Sequence, residues 1–169
     1  FVLHHQVNMD KKRKIGAYSA NLVGDGESLI LDAGTTTTEV ALRLATRKNL
    51  TIITNALNIA VILGTVPGFA VHMPGGQFKA PILSLSGDKS VEYFRNIFAG
   101  KLFLATAGVA VDAGLTHVYL VSDSTKINRT SFTRLGALEL VHSFITDDGI
   151  SDADAKEFER RGVEVLIAG

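Results

Sequence analysis

A run of hydroxyl-bearing side chains follows one of the apolar segments of the chain. Ser28–Asp32 has the composition of a buried strand, and a turn through Gly34 leads directly into four consecutive threonines, residues 35–38. Gly34 permits a tight turn, and amides at the start of a helix can bind an anion together with neighbouring hydroxyls. The alternative is an ordinary helix cap, for which one Ser or Thr suffices. Four in succession therefore favour a phosphate site.

Three further predicted strands end in polar residues. Thr54-Asn55 follows the second strand, Pro74–Gln77 the third, and Asp123–Lys126 a later one. Because the carboxyl ends of parallel strands meet at one edge of a sheet, we expect these residues beside the threonines. Asparagine can donate to and accept from sugar hydroxyls, paired glycines let amides approach a ligand, and lysine supplies charge for a phosphate. Each turn alone is common loop chemistry, so the prediction depends on their agreement.

Strand-like and helix-like segments alternate along the chain. This order is typical of an α/β domain with a mostly parallel central sheet, so we predict a Rossmann-like, three-layer α/β/α architecture in a single domain, residues 1–169. Ser151 is the predicted N-cap of the last helix. The predicted strands are Ser28–Asp32, Leu50–Thr54, Phe69–Met73, Lys101–Thr106, Val118–Ser122, Val141–Thr146 and Val163–Ile167. The predicted helices are Met9–Val23, Thr36–Ala45, Leu57–Leu63, Asp88–Ile97 and Ser151–Arg161.

One junction does not fit this alternation. The strands at Lys101–Thr106 and Val118–Ser122 are separated by only 11 residues. A parallel crossover needs a dozen or more residues and usually contains a helix, whereas this connection has no helical period. Either the two strands form an antiparallel hairpin, or a segment is missing between about Leu115 and Val118. The second explanation is favoured.

Composition restricts the classes of function. The chain has 17 basic and 17 acidic residues, whereas nucleic-acid surfaces usually carry a basic excess. The basic segment Asp10–Lys14 is accordingly expected to be a solvated helix face. Cysteine is absent, which fits a reducing compartment, and no apolar run reaches the roughly 20 residues that span a bilayer. We therefore expect a cytoplasmic protein with no membrane partner.

Motifs of several catalytic classes are absent from the sequence. The five histidines show no metal-ligand spacing, so no metal site is predicted. The chain also lacks a GxSxG nucleophile elbow, a Walker phosphate loop, and a GxGxxG motif after its first strand. Serine hydrolase chemistry and nucleotide binding therefore lack support, and no cofactor is expected.

The motifs together resemble the C-terminal effector-sensing domain of the DeoR family of bacterial transcription repressors. The resemblance extends from about Asp10 to the end of the chain, except at the short junction, and depends on the whole set of motifs. The matching segments are Leu31–Thr37, Thr54-Asn55, Pro74–Gly76, Leu83–Gly87, Gly114–Thr116, Asp123–Lys126 and Ile145–Gly149.

This resemblance implies a sugar-phosphate sensor with a fold like ribose-5-phosphate isomerase and CoA transferases. In the family an N-terminal winged helix-turn-helix binds operator DNA; this sequence has no such segment, and residues 1–23 would begin in the linking helix. The family, with the exposed sheet edges, also suggests a homodimer or homotetramer. The expected ligand residues are Asp32, Gly34, Thr35, Thr36, Thr37, Thr54, Asn55, Gly75, Gly76, Lys79, Ser84 and Lys126.

The chain departs from the family pattern in three places. Two carboxylates that commonly follow the strand at Leu102–Leu104 are replaced by Ala107 and Ala110, which affects any contact they would make with sugar hydroxyls. In the family, a long helix usually lies between the residues that match Gly114–Thr116 and the strand that matches Val118. In this chain only His117 separates Thr116 from Val118. Lys79 stands where the family often has Arg, so the charge is kept and the bidentate fork is lost.

A phosphosugar isomerase is the alternative to a sensor. Enolisation needs a positioned base, and Asp32 and Asp112 remain candidates. The loop where related isomerases place carboxylates has the sequence ATAGVAV, which favours a binding module.

Overall fold

We describe a computed structural model of the chain, which defines residues 7–105, 115–127 and 140–169. The α-helices are α1 Met9–Asn21, α2 Thr35–Leu44, α3 Leu57–Gly64, α4 Asp88–Arg95 and α5 Asp152–Arg160. The strands are β1 Ser28–Leu31, β2 Thr51–Thr54, β3 Ala70–His72, β4 Gln77–Lys79, β5 Ser84–Ser86, β6 Ala99–Ala105, β7 Leu115–Val121, β8 Ser143–Asp147 and β9 Glu164–Ala168. Every predicted strand and helix is confirmed, with ends that differ by at most a few residues.

Seven strands form one parallel sheet in the order β3-β2-β1-β6-β7-β8-β9. The predicted three-layer α/β architecture is therefore confirmed. The order reverses at β1, from which the chain proceeds outward through β2 and β3 before returning to β6. Ligands of open parallel sheets bind beyond the strand ends at such a reversal. Asp32 and Gly34 follow β1 at this point.

Helices cover both faces of the sheet because its central strands are apolar on both sides. Leu31, Ile52 and Phe103 belong to one buried cluster, together with apolar residues of α1, α2 and α3. On the other face, Leu102 and Val118 pack with residues of α4, and Phe144 contacts Phe158 of α5, with ring centroids 4.7 Å apart.

The hairpin predicted as one option for β6 and β7 is wrong. The two strands are parallel, with Leu102 opposite Val118 and Phe103 opposite Tyr119. Their side chains pack on both faces of the sheet. On one face the rings of Phe103 and Tyr119 stack, with centroids 5.0 Å apart. The strand β7 spans Leu115–Val121, and the segment expected to be missing between about Leu115 and Val118 stays a prediction. The connection itself, residues 106–114, lies outside the described residues.

A second, two-stranded sheet was not predicted. β4 and β5 pair antiparallel, and the hairpin is joined to the end of β2 by a bridge between Ala56 and Ser84. The amide of Leu85 also donates to the carbonyl of Asn55 at 2.8 Å. The hairpin is therefore attached to the carboxyl edge of the main sheet.

Within the described residues, no helix combines the length and the apolar character that crossing a bilayer would require.

Candidate functional site

The turn between β1 and α2 brings a helix N-terminus close to the end of β6. Gly34 has an extended backbone and precedes the first helical residue, Thr35. A Cβ atom at Gly34 would lie 2.5 Å from the Cβ of Ala105, so only glycine fits here without movement. The amides of the first helical turn have no acceptor within the helix and are available to an anion.

The four threonines have different roles. The Thr37 and Thr38 hydroxyls both donate to the Gly34 carbonyl, at 2.9 and 2.7 Å. Thr38 also accepts from the Asn58 side chain at 2.9 Å. Thr35 is partly exposed, whereas the other three are buried. Two of the four hydroxyls thus fix the turn, and Thr35 is the one with an accessible side chain.

Asp32 is a buried carboxyl group at the end of β1. Its side chain is 2% exposed, and its Oδ2 atom has no hydrogen-bond partner. Burial raises the pKa of Asp32 to about 8, although the amides of Ala33 and Ala105 donate to the carboxylate and oppose the shift. A buried, unsatisfied oxygen is costly, and a ligand hydroxyl that reached it would relieve that cost.

The end of β2 presents a second unsatisfied oxygen. The Thr54 hydroxyl accepts from the amide of Ala56 at 3.0 Å, so it is occupied locally. Asn55 follows it, and its Oδ1 atom is buried with no partner. Ser84 lies opposite Ala56 in the bridge to the hairpin and is buried. The structure therefore brings Asn55 and Ser84 close together, and their role as ligand residues stays a prediction.

The glycine pair after β3 packs against the segment that follows the hairpin. The Gly75 carbonyl accepts from the Ser90 hydroxyl at 2.6 Å. Gly76 has φ +135°, and a Cβ there would lie 2.5 Å from the carbonyl oxygen of Ser86. Lys79 is exposed on β4, opposite Ser84. These contacts explain the glycine at position 76, whereas a Cβ at Gly75 would meet no atom within 4 Å. Lys79 is the accessible cation of the hairpin.

Two lysines lie near the carboxyl end of β7. Lys126 is exposed in the short 3₁₀ turn Ser124–Lys126. Lys12 of α1 is only 4% exposed, and it lies close enough to Asp123, Lys126 and Glu39 for their charges to affect its pKa. Burial lowers the pKa of Lys12, and Asp123 partly opposes that shift.

Lys12 is level with the first residues of α2. Helices α1 and α2 both run from the carboxyl edge of the sheet toward its amino edge, and a Cβ at Gly16 would lie 2.7 Å from the Glu39 backbone. Lys12 precedes Gly16 by one helical turn, and Thr35 precedes Glu39 by one helical turn. Because the two helices run in the same direction, Lys12 and Thr35 lie at the same level. The backbone of Lys12 is therefore level with the start of α2, where the helix amides are unbonded.

The prediction that Asp10–Lys14 is a solvated face is wrong for two of its lysines. Lys12 is buried, and the Lys11 ammonium contacts Asp147 at 2.7 Å and Ser124 at 3.0 Å. The sequence contained a signal for this, since Lys12 precedes the buried Ile15 and Gly16 by three and four residues. Arg13 and Lys14 are exposed, as predicted.

Asp147 organises the neighbouring strand end. Its carboxylate accepts from the Ser124 amide at 2.7 Å, the Ser124 hydroxyl at 2.9 Å and the Gly149 amide at 3.0 Å. Burial would raise the pKa of Asp147, but donation from Lys11, Ser124 and Gly149 outweighs it and lowers the pKa to about 2. The network joins α1 to the ends of β7 and β8.

Replacing Asp147 with asparagine is expected to reduce the free energy of unfolding at pH 7 by about 2 kcal/mol. The lowered pKa of Asp147 supplies stability that is present above pH 3.8, its usual value, and is lost as the pH falls toward 2. Urea unfolding from pH 7 to pH 2 should therefore show a steeper loss in the parent than in D147N. Asp148→Asn is the matched control, because its side chain is 70% exposed, and it should change little. Equal acid sensitivity of D147N and the parent would contradict this role.

Three of the five buried polar atoms without partners in the described part of the chain lie at the carboxyl edge. They are Asp32 Oδ2, Asn55 Oδ1 and Thr146 Oγ1, at the ends of β1, β2 and β8. The edge thus combines unsatisfied oxygens with helix amides and two ammonium groups. That set can bind a phosphoryl group and the hydroxyls of one small molecule. No group of three or more metal-ligating side chains occurs among the described residues.

Some predicted features lie outside the described residues. Ala107, Ala110 and Asp112 belong to the connection 106–114, so the effect of the two missing carboxylates and a role of Asp112 as a base stay predictions.

The fold and the edge together define a parallel α/β domain with a candidate ligand site at the carboxyl edge of its sheet. The profile of the DeoR C terminal sensor domain matches residues 7–118, and the chain belongs to this family. The matched family is described as a sensor domain, and the curated relatives are named as transcriptional repressors, which agrees with the predicted binding module.

Three relatives illustrate the similarity. The transcriptional repressor AccR of Agrobacterium fabrum is 30% identical over 84% of this chain and 62% of its own length. The regulator GlpR of Haloferax volcanii is 30% identical over 94% of this chain and 69% of its own length. The glycerol-3-phosphate regulon repressor of Escherichia coli is 26% identical over 82% of this chain and 62% of its own length. The chain thus spans about two thirds of the length of the relatives it matches.

The chain is also similar to a solved structure of ribose 5-phosphate isomerase from Plasmodium falciparum. The matched region covers 68% of this chain and 52% of the isomerase chain, with 12% sequence identity and a TM-score of 0.43.

Proposed function

We propose that this domain binds a phosphorylated sugar or sugar derivative as an effector at the carboxyl edge of the sheet. In the full-length regulator, occupancy of this site controls DNA binding by the DNA-reading part. The observation that carries the proposal is the pair of buried, unpartnered oxygens, Asp32 Oδ2 and Asn55 Oδ1, beside a helix N-terminus. Such polar atoms require hydrogen-bond partners, and sugar hydroxyls, which both donate and accept, supply them.

The phosphoryl group is expected at the start of α2. The unbonded amides of Thr35 and its neighbours point to this position, and a helix N-terminus favours negative charge. Lys12 lies level with Thr35, and Lys126 lies near Lys12, so two ammonium groups can approach the same anion. A dianionic phosphate would also offset the mutual repulsion of the two lysines.

The sugar moiety would extend from the phosphate across the ends of β1 and β2. Asp32 and Asn55 follow these neighbouring strands, which pair with Leu31 opposite Thr54. Ser84 closes this side through the bridge to the hairpin, and Lys79 lies opposite Ser84. One relative is named for the glycerol-3-phosphate regulon, which refers to a phosphorylated polyol. That name supports the class of effector and leaves its identity open.

Control of DNA binding requires that the effector favour one arrangement of the regulator over another. Coupling of about 1 to 3 kcal/mol is typical and changes affinity by roughly 5- to 150-fold. The contacts of α1 provide a physical route, because Lys11 and Lys12 join this helix to the strand ends beside the site.

Thermal unfolding with a panel of compounds tests the proposal. We expect at least one of glycerol 3-phosphate, ribose 5-phosphate, glucose 6-phosphate, fructose 1-phosphate and glucosamine 6-phosphate to raise the melting temperature. The corresponding unphosphorylated compounds should not. Lys126→Ala should weaken binding of the active compound by about 10-fold or more, since a hydrogen bond to a charged group contributes about 1.5 to 3 kcal/mol.

Lys48→Ala is the matched control for the loss of one charge. Lys48 is exposed, and its amide bonds to Asp25 at the opposite, amino edge of the sheet. The control should bind the active compound like the parent. Equal weakening in both variants, binding of sugars regardless of phosphate, or turnover of the bound compound would refute the proposed site.

A further inference from the structure

Asn8, which immediately precedes α1, has a left-handed backbone conformation. Its φ is 57° and its ψ is 37°. Positive φ is uncommon outside glycine, and asparagine is one of the few other residue types enriched there. The Lys12 amide donates to the Asn8 carbonyl at 3.1 Å, in the first turn of α1. The conformation of Asn8 therefore sets the direction from which the chain enters this helix.

The side chain of Asn8 reaches the segment that follows β7. Its Nδ2 atom donates to Asp123 Oδ1 at 3.2 Å and to Thr125 Oγ1 at 3.1 Å, across 115 and 117 positions of the sequence. In the next turn of α1, the Lys11 ammonium donates to the Ser124 hydroxyl at 3.0 Å. The start of α1 thus contacts three consecutive residues at the carboxyl edge of the sheet.

These contacts hold the turn that ends in Lys126. The Lys126 amide donates to the Asp123 carbonyl at 3.0 Å, and the Thr125 amide donates to the Asp123 carboxylate at 3.2 Å. Asp123 is only 2% exposed, and a buried carboxylate requires several donors. Asn8 supplies one of them from outside the turn. The bond from Asn8 therefore stabilises the turn on which the position of Lys126 depends.

A left-handed asparagine can also serve the backbone alone, and Asn49 provides the comparison. Asn49 has φ 54° and precedes β2, at the amino edge of the sheet. It shares the backbone conformation of Asn8 and lies at the edge opposite the proposed site. A purely conformational role would be met by glycine, which adopts positive φ without strain. Such a role leaves the two contacts of the Asn8 side chain with Asp123 and Thr125 unexplained.

We infer that Asn8 is a positioning residue of the effector site, which holds the turn of Lys126 and links phosphate binding to the chain segment that enters α1. The inference rests on the proposed function, in which Lys126 contacts the phosphoryl group. Because coupling between two sites is reciprocal, phosphate that orders the turn would strengthen the Asn8 contacts, and loss of those contacts would weaken phosphate binding. In a regulator whose DNA-reading part precedes this domain, the direction of entry into α1 affects where that part lies.

Hydrogen exchange of the 169-residue chain tests the contact without any ligand. Asn8→Asp keeps a residue that tolerates the left-handed conformation, removes the donor and places a second carboxylate beside Asp123. We expect the amides of Thr125 and Lys126 to exchange about 10-fold faster in N8D, because hydrogen bonds to a charged group are among the stronger ones. Asn8→Gly removes the side chain without adding charge, and it decides the question if N8D fails to fold. Asn49→Asp is the matched control and should leave both amides unchanged.

A double-mutant cycle with inorganic phosphate tests the link to binding. Phosphate titrations followed by NMR are expected to show binding weakened roughly 10-fold in K126A and roughly 3- to 10-fold in N8G. The double variant N8G/K126A should bind no more weakly than K126A, because Asn8 acts through the turn that carries Lys126. Asn49→Gly should leave the phosphate affinity unchanged.

Unchanged exchange in folded N8D and N8G, or additive effects of N8G and K126A on phosphate affinity, would overturn the inference. Equal acceleration of exchange in N49D would do the same, because it would indicate a general loss of stability. A parent that binds no phosphate would refute the proposed effector site and the link to it, and the ligand-free exchange would still show whether Asn8 holds the turn.

Discussion

Replacing Asp32 with asparagine is expected to stabilise the ligand-free protein at pH 8 and to leave its stability at pH 4 nearly unchanged. Burial raises the pKa of Asp32 from its usual value of 3.8 to about 8. Between these values the folded state binds more protons than the unfolded state, so the stability of the parent falls as the pH rises. Asparagine has no proton to lose, and it keeps an oxygen that can accept from the amides of Ala33 and Ala105.

The expected gain at pH 8 is roughly 2 to 5 kcal/mol, or a rise in melting temperature of about 5 to 15 °C for a chain of this size. Thermal unfolding of D32N and the parent from pH 4 to pH 9 measures the difference. Asp148→Asn removes an exposed carboxylate and should show no such pH-dependent gain. A D32N protein that is no more stable than the parent at pH 8, or equally stabilised at pH 4, would show that Asp32 carries no raised pKa.

The same substitution indicates why the domain retains a destabilising acid. A buried carboxyl group with an unpartnered oxygen lowers the stability of the empty domain, and a ligand hydroxyl would remove that penalty on binding. Residues at binding sites often reduce stability in this way. A stability gain measured for D32N would therefore favour the proposed binding role, which a purely structural residue would not need.

The alternation of apolar strands and helices predicted most of the fold because each main-sheet strand is a short, nearly continuous apolar run. The hairpin β4–β5 was missed for the opposite reason. Its strands have three residues each, Phe78 is exposed, and Pro81 lies in the turn, so neither hydrophobic alternation nor a standard turn motif marks it. Tertiary attachment to Ala56 and Asn55 stabilises it, and a local pattern does not reveal such contacts.

The sequence indicated at which edge of the sheet the candidate residues lie, but it did not reveal the role of each side chain. Residue types alone placed Asp32, Asn55 and Lys126 at strand ends, where the structure has them. They could not show that the Thr37 hydroxyl donates to the Gly34 carbonyl or that Lys12 is the buried lysine of its basic segment. Both facts depend on how α1 and α2 pack, which pairs residues far apart in sequence.

Replacing Gly34 with alanine is expected to reduce the free energy of unfolding by about 3 kcal/mol, at the upper end of overpacking costs. The new Cβ would lie 2.5 Å from the Cβ of Ala105 and 3.1 Å from the Thr37 hydroxyl, so α2 must move away from β6. That movement would displace the amides that form the proposed phosphate site. Urea unfolding measures the stability, and binding of the active sugar phosphate should weaken in parallel.

A second substitution separates this steric effect from a general intolerance of alanine. Ala105→Gly removes the methyl group that the new side chain would meet, so the double variant G34A/A105G should recover much of the loss despite the cost of glycine in β6. Gly64→Ala is the matched control, because a Cβ at Gly64, the last residue of α3, meets no atom within 4 Å. A stable G34A protein, or a double variant no better than G34A, would mean that the close approach of Gly34 to β6 does not position the start of α2.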